Sequence, residues 1–450
     1  MRTRKTCFVF CMLLSCLLLG GSQCSVSNNN SSNTTTRVDS EQKISDTAGG
    51  FNGNLDAGDQ FGSAVASIGD LEGDGVTDLA VGAPYTDSGG TNRGAIWILF
   101  MNSDGRVDTQ QKIADGAGNF DGNLDNDDRF GSAIASIGDL NGDAVTDLAV
   151  GAPGDDDGGT DRGAIWILFL NAEGKVRLYQ KISDTAGGFG GKLNDGDQFG
   201  ASVASIGDID GDGIDDLAVG APYASDGGPD RGAVWILFMG RDGKVKSQQK
   251  IADGAGGFKG NLSDGDHFGS AVANTGDLDG DGINDLAVGA DQSDDGGTDR
   301  GAVWILFMDK DGKVKSQQKI ADGAGGFKGD LSDGDQFGSA VANTGDLDGD
   351  GINDLAVGAN QSDDGGPDRG AVWILFMDKD GKVKSQQKIA DGSGGFKGDL
   401  SDGDQFGSAV AGIGNLDGKD QPDIAVGAPL DDDGGTDKGA VWILFMKQTN

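Results

Sequence analysis

This chain of 450 residues is short of most side chains that carry out chemistry. It has one His (His267), three Tyr and four Cys, and all four Cys (Cys7, Cys11, Cys16, Cys24) lie within the first 24 residues. A thiol nucleophile, a disulfide framework and a zinc site of the Cys/His kind are therefore excluded from the body of the chain. Glu is nearly missing as well: Glu41, Glu72 and Glu173 are the only three among 73 acidic residues, and the rest are Asp. Glu is the better helix former, whereas Asp suits turns and metal-binding loops. Basic residues number only 35, giving a net charge of −38, which argues against nucleic acid and against an anionic membrane surface as partners. Gly is abundant, at 83 residues, about 18% against an average of roughly 7%. With 36% hydrophobic residues the chain can still bury a core. The composition points to a β-rich, turn-dense protein suited to binding cations.

Residues 1–24 read as a secretory signal. Arg2, Arg4 and Lys5 precede an apolar run over 7–20, and small residues follow. The run is short for a spanning helix, which needs about 20 apolar residues; the alternative is a retained membrane anchor. Cys24 is a candidate lipidation site, although Gln23 is a poor residue before it. Leu14-Ser15-Cys16 is another, at the cost of a shortened apolar run. Residues 25–41 are expected to be a polar, disordered tether, and residues 42–450 the folded body. Both readings place the protein outside the cell, secreted or held at the surface.

The body repeats. Phe-Gly recurs at Phe61, Phe130, Phe199, Phe268, Phe337 and Phe406, and Trp at Trp97, Trp166, Trp235, Trp304, Trp373 and Trp442, always 69 residues apart. One copy holds an alternating segment (63–68), an acidic loop, an apolar run (79–83), a Gly/Asp-rich loop, a third apolar run (94–100), an Asp-Gly turn and a weaker strand near 107–113. Four strands per copy is the content of a propeller blade. The ends are out of phase: the body starts with Gln42-Lys43-Ile44, the equivalent of a fourth strand, and finishes in the third strand around Trp442. An all-β, closed six-bladed propeller is expected, with the N-terminal strand completing the last blade and leaving no long open edge. An open array or a ring that needs a partner is the alternative.

The loop between the first and second strands reads D-x-D-G-D-G-x-x-D. It places carboxylates at positions 1, 3, 5 and 9 and offers a backbone carbonyl at position 7. Calcium takes six to eight oxygens in a flexible cage, and Gly at position 6 permits the sharp turn. The pattern is complete at Asp208, Asp210, Asp212, Ile214, Asp216; at Asp277, Asp279, Asp281, Ile283, Asp285; and at Asp346, Asp348, Asp350, Ile352, Asp354. Copy one has Asp70, Glu72, Asp74, Val76, Asp78. Copy two has Asp139, Asn141, Asp143, Val145, Asp147, with Ala144 at the turn. Copy six is broken, with Asn415, Asp417, Lys419 and Asp423, so its loop is expected to be empty and about five calcium ions are expected in all.

Phe61-Gly62, this loop and Gly82-Ala83-Pro84 together resemble the FG-GAP repeat of integrin α-subunit propellers and their bacterial relatives. The resemblance covers residues 42–450. It implies a β-propeller with calcium in the hairpin loops and an extracellular adhesive or binding role. No residue marks one blade as a working site, so no catalysis is expected. The chain departs from that family in having six copies where integrins have seven, and in Asp291 and Asn360 replacing the Pro of Gly-Ala-Pro. The expected partner is an extracellular protein or glycan, bound by a monomer; the alternatives are a structural envelope component and, further off, a propeller hydrolase or lyase. Arg93, Arg162, Arg231, Arg300, Arg369 and Lys438 recur once per copy and read as partners of local Asp residues. The Trp read as core, and His267, where other copies have Gln or Arg, as a surface substitution.

Overall fold

A computed structural model describes residues 35–449, apart from residue 420. The expected signal segment, Cys16, Cys24 and most of the tether lie outside these residues. The described chain forms six four-stranded antiparallel sheets, with no helix among the described residues. In blade one the strands are Ala64–Gly69, Asp78–Ala83, Ala95–Met101 and Val107–Ala114, paired in sequence order. The first strand of every blade lines a central channel, where Val65, Ile134, Val203, Val272, Val341 and Val410 meet around a cavity of about 110 Å³. The architecture is a six-bladed β-propeller, as the repeat predicts.

Alternation along each strand builds the core. Ile96, Ile98 and Phe100 face blade two and pack with Leu148, Val150 and Trp166. Their neighbours Trp97, Leu99 and Met101 face the other way and pack with Val441, Ile443 and Phe445 of blade six. Side chains two apart share a face in a strand, so the third strand is apolar at every position because both of its faces are covered. Each Trp is buried, with a Phe from the loop between blades set edge-on against it: Phe51 lies 5.1 Å from Trp97 and Phe396 lies 5.1 Å from Trp442.

The two glycines of the repeat sit where blades touch. Adding a Cβ to Gly82 would put it within 3.0 Å of the Gly131 carbonyl oxygen of the next blade, closer than real Cβ atoms come. The same holds for Gly151 against Gly200, Gly220 against Gly269, Gly289 against Gly338, Gly358 against Gly407 and Gly427 against Gly62. The last of these pairs joins blade six to blade one.

Blade six is completed from the N-terminus. Residues Thr35–Ile44 pair antiparallel with Ala440–Thr449, from Thr35 opposite Thr449 to Ile44 opposite Val441. This strand starts at Thr35, seven residues ahead of the expected boundary at 42, so residues 35–41 belong to the sheet rather than to the tether. Polar residues along it obscure the strand in the sequence, while Val38 and Ile44 anchor it with 2% and 0% exposure. Lys43 adds ion pairs to Asp431 at 2.5 Å and Asp433 at 2.6 Å. Deleting residues 35–44 is expected to leave the last blade's third strand as an open edge. Loss of cooperative thermal unfolding and aggregation on gel filtration are the predicted results, and an unchanged melting curve would contradict closure by this strand.

Candidate metal centres

The acidic loops of blades one to five are each built on two carboxylates with different work. The first is the position 1 Asp, which organises the loop backbone. Asp208 accepts hydrogen bonds from the backbone N–H groups of Gly211 at 2.7 Å, Asp212 at 2.9 Å and Gly213 at 2.8 Å. Asp70 does the same with Gly73, Asp74 and Gly75, and these bonds, Gly75 foremost, hold its carboxyl below the usual range. The chain can make so tight a bend because position 6 is left-handed, with φ of 82° at Gly213. Ala144 takes φ of 67° at that position in loop two, a strained choice for a residue with a Cβ.

The second is the position 9 Asp, which opens the second strand and lies at the base of the loop. Asp78, Asp147, Asp216, Asp285 and Asp354 are fully buried, and Asp423 is 1% exposed. Both oxygens of Asp78 are used: Leu71 N–H donates to one and Met101 N–H to the other, each at 2.9 Å. This carboxylate thus ties the acidic loop to the end of the third strand, which places both on one rim of the ring. Burial pushes Asp78, Asp285 and Asp423 up to about 6, and Asp147, Asp216 and Asp354 up to about 7. Asp423 keeps the same bonds, from Leu416 and Met446 at 2.9 Å each, in a loop that lacks the ligand pattern. The position 9 residue is therefore structural in its own right.

Carboxylate oxygens of Asp208, Asp210 and Asp216 come within 4.8 Å of one another, as do those of Asp277, Asp279, Asp285 and of Asp346, Asp348, Asp354. These are acidic groups that could hold a metal, and among the described residues the convergence is confined to these three loops. The position 5 carboxylates are engaged differently. Asp212 pairs with Lys246, Asp281 with Lys315 and Asp350 with Lys384, and Asp143 meets Arg177 at 2.8 Å. In each loop the position 5 side chain also accepts the backbone N–H of position 7, at 2.8 Å for Val76, 3.1 Å for Val145, 3.0 Å for Ile214 and Ile283, and 2.9 Å for Ile352. The position 7 side chains pack against the interblade cores. In loop one, Asp70, Glu72 and Asp74 stand exposed above Asp78. In loop six, Lys419 at position 5 pairs with Asp417 at 2.7 Å, and Asn415 donates to the Lys419 carbonyl oxygen.

On the other rim the recurring basic residues meet Asp, as the sequence suggests. Arg162 pairs with Asp184 at 2.7 Å and Asp195 at 2.8 Å, and Lys438 with Asp46 at 2.8 Å across the closure. Arg231, Arg300 and Arg369 repeat the two-Asp arrangement, and Arg93 pairs with Asp115 and donates to Asn126 at the second place. His267 is not a surface residue: it is 9% exposed, 4.5 Å from the Tyr223 ring, with Nδ1 3.8 Å from Asp291. The residue before Phe-Gly faces the neighbouring blade in a left-handed conformation, with φ of 57° at His267, and that junction buries it. Burial lowers the His267 pKa and pushes Asp291 up to about 7. Two departures from the repeat, His267 and Asp291, thus fall in one place.

A closed propeller with an acidic loop in each blade on one rim defines a class of protein. The FG-GAP repeat family matches residues 61–99, 130–168, 199–237, 268–306 and 337–375, from Phe-Gly into the third strand of blades one to five. The chain carries five FG-GAP repeats. Integrin alpha-PS2 of Drosophila melanogaster is 33% identical over 253 residues, 53% of this chain and 16% of that protein. Integrin alpha-5 of Xenopus laevis is 32% identical over 238 residues, 52% of this chain and 20% of that protein. Phosphatidylinositol-glycan-specific phospholipase D of Bos taurus is 33% identical over 201 residues, 43% of this chain and 22% of that protein. The matches thus span about a fifth of the length of these relatives.

The position 9 assignment yields a mutational expectation. Asp423→Ala leaves two buried N–H groups without a partner, at about 1–3 kcal/mol each. A loss of about 2–6 kcal/mol is expected in denaturant unfolding, the same with calcium or chelator present. A loss seen only with calcium would contradict a structural role.

Proposed function

We propose that this protein is an extracellular calcium-binding β-propeller that serves as an adhesion or ligand-binding module and carries out no catalysis. The observation that carries this reading is the all-oxygen donor set repeated at fixed positions in five loops. Position 1, 3, 5 and 9 side chains would hold the ion together with the position 7 carbonyl. Carboxylates retain lone pairs beyond the ones that their backbone N–H bonds occupy, so loop order and ion binding are compatible. Calcium accepts such flexible oxygen cages, whereas magnesium demands a stricter octahedron and keeps more water. The bound ion would neutralise clustered carboxylates and stiffen one rim. The opposite rim, with its ordered Arg–Asp pairs, would present a rigid face to an extracellular protein or glycan. The chain would act as a monomer, secreted or held at the cell surface, with Cys24 as the residue for a lipid anchor. The same loops and ion pairs recur blade after blade, whereas a catalytic centre needs one asymmetric cluster. That favours binding over the activity in the name of the phospholipase D relative.

The test combines melting with a binding screen. Sites in extracellular modules have dissociation constants of roughly 10⁻⁴–10⁻³ M, so millimolar calcium contributes about 0.4–1.4 kcal/mol per site. Chelator should lower the melting temperature clearly. The position 9 carboxyls have folded-state pKa values of about 6–7, above the ordinary 3.8. Proton uptake therefore stabilises the cation-free fold; that contribution is complete below about 3.8 and is lost as pH rises through about 6–7. The gap between calcium-loaded and chelated melting temperatures should accordingly be widest above pH 7 and narrow toward pH 5. Saturable, calcium-dependent binding on a glycan and matrix-protein array is the expected companion result. A melting curve indifferent to chelator, with no array binding, would contradict the proposal.

A further inference from the structure

One position on the outer strand of each blade faces the acidic loop, and its charge varies from blade to blade. It follows the buried Val of that strand. The residues are Asp108, Arg177, Lys246, Lys315 and Lys384 in blades one to five, and Asp39 in the N-terminal strand of blade six. The three lysines each reach two carboxylates. Lys246 pairs with Asp212 and lies 3.8 Å from Asp210; Lys315 pairs with Asp281 and lies 3.2 Å from Asp279; Lys384 pairs with Asp350 and lies 2.9 Å from Asp348. Arg177 meets Asp143 at 2.8 Å. Blade six inverts the pattern: Lys419 stands in the loop and Asp39 on the strand, where its charge helps to hold the Lys419 ammonium protonated, second to Asp417 itself. Loop and strand thus carry opposite charge in five blades.

Blade one breaks the pattern. Its loop has Asp70, Glu72, Asp74 and Asp78, and the facing residue is Asp108, one more acid. Asp108 holds the same place in its strand as the lysines do in theirs: Val107 pairs with Met101 as Val245 pairs with Met239 and Val314 with Met308, so the next residue stands toward the loop in each blade. Blade one thus has an acidic residue at all five of these positions and a basic one at none.

We infer that the residue after the buried Val of each outer strand sets the cation affinity of the loop that it faces. Asp108 makes loop one the tightest cation site. Arg177 competes with the ion for the position 5 carboxylate of loop two, and Lys246, Lys315 and Lys384 for the position 3 and position 5 carboxylates of loops three to five, weakening all four loops. This inference rests on the cation-binding reading proposed above. A fixed cation beside the site repels a divalent ion and must give up its carboxylates before they can turn to the metal, whereas a fixed anion attracts it. Because the lysines are partly exposed, the difference between sites should shrink at high salt.

The test is calorimetric titration of calcium into the full chain, comparing the unaltered protein with Asp108→Lys and with Lys246→Met. Melting in chelator verifies that both exposed substitutions leave the fold intact. The unaltered protein is expected to show one tight site and a weaker class. Asp108→Lys should move the tight site at least about 10-fold weaker, and Lys246→Met should move one weak site about 10-fold tighter. Calcium binding with affinities unchanged within about twofold in both variants would overturn this inference and leave the calcium reading standing. Absence of calcium binding in the unaltered protein would overturn both.

Discussion

Direct backbone contact between blades, glycine against glycine, is the constraint on which the ring depends. A side chain at Gly82, Gly151, Gly220, Gly289, Gly358 or Gly427 would drive its Cβ into the carbonyl oxygen of the next blade's Phe-Gly glycine. Six such contacts, the last running from Gly427 to Gly62, set one spacing between sheets all the way round. At that spacing the alternating faces of neighbouring blades interdigitate into six buried hydrophobic cores, and each third strand is apolar on both sides. Close packing of this kind leaves little room for adjustment. The fixed length of the repeat follows from it, since an insertion within the sheets would break the register of two interfaces at once.

The same rigidity carries the acidic loops. Each is pinned at its base by a buried carboxylate that accepts one N–H from the loop and one from the end of the third strand. Asp423 keeps this arrangement where Asn415 and Lys419 have replaced ligand positions, so the pin and the cation site are separable features of one motif. What differs among blades is charge above the pin: four acidic residues and no basic one in blade one, lysine- or arginine-balanced loops in blades two to five, and a reversed pair in blade six. A repeat protein can diversify in this way without disturbing its fold, because these side chains project from the rim and not into the interfaces.

Much of this was legible in the sequence. The spacing of Phe61 and its five counterparts gives the blade count, and the mismatch of Gln42-Lys43-Ile44 with the Trp442 strand gives the closure. Both depend on a pattern of period two bounded by Gly and Asp, which survives in one dimension. The pairing of Arg162 and its counterparts with Asp was also readable, since both recur at fixed phase. The start of the closing strand at Thr35 was not, because only Val38 marks it as buried among polar neighbours. Nor was the dual hydrogen bonding of Asp78, because a loop carboxylate that serves backbone N–H groups looks the same in sequence as one that serves an ion. His267 was misread for a related reason: its burial comes from the adjacent blade, through Tyr223. Lys246 and Asp212 lie 34 residues apart and meet only because two hairpins return to the same rim.

The central claim is that five loops, and not the sixth, hold calcium through these oxygen ligands. Anomalous diffraction from crystals grown in calcium tests it most directly, by locating each ion without reference to stability or affinity. Five peaks are expected, one in each loop of blades one to five, with oxygen contacts of about 2.3–2.6 Å and none beside Lys419. An absence of peaks in the five loops, or a peak of equal strength in the sixth, would contradict it.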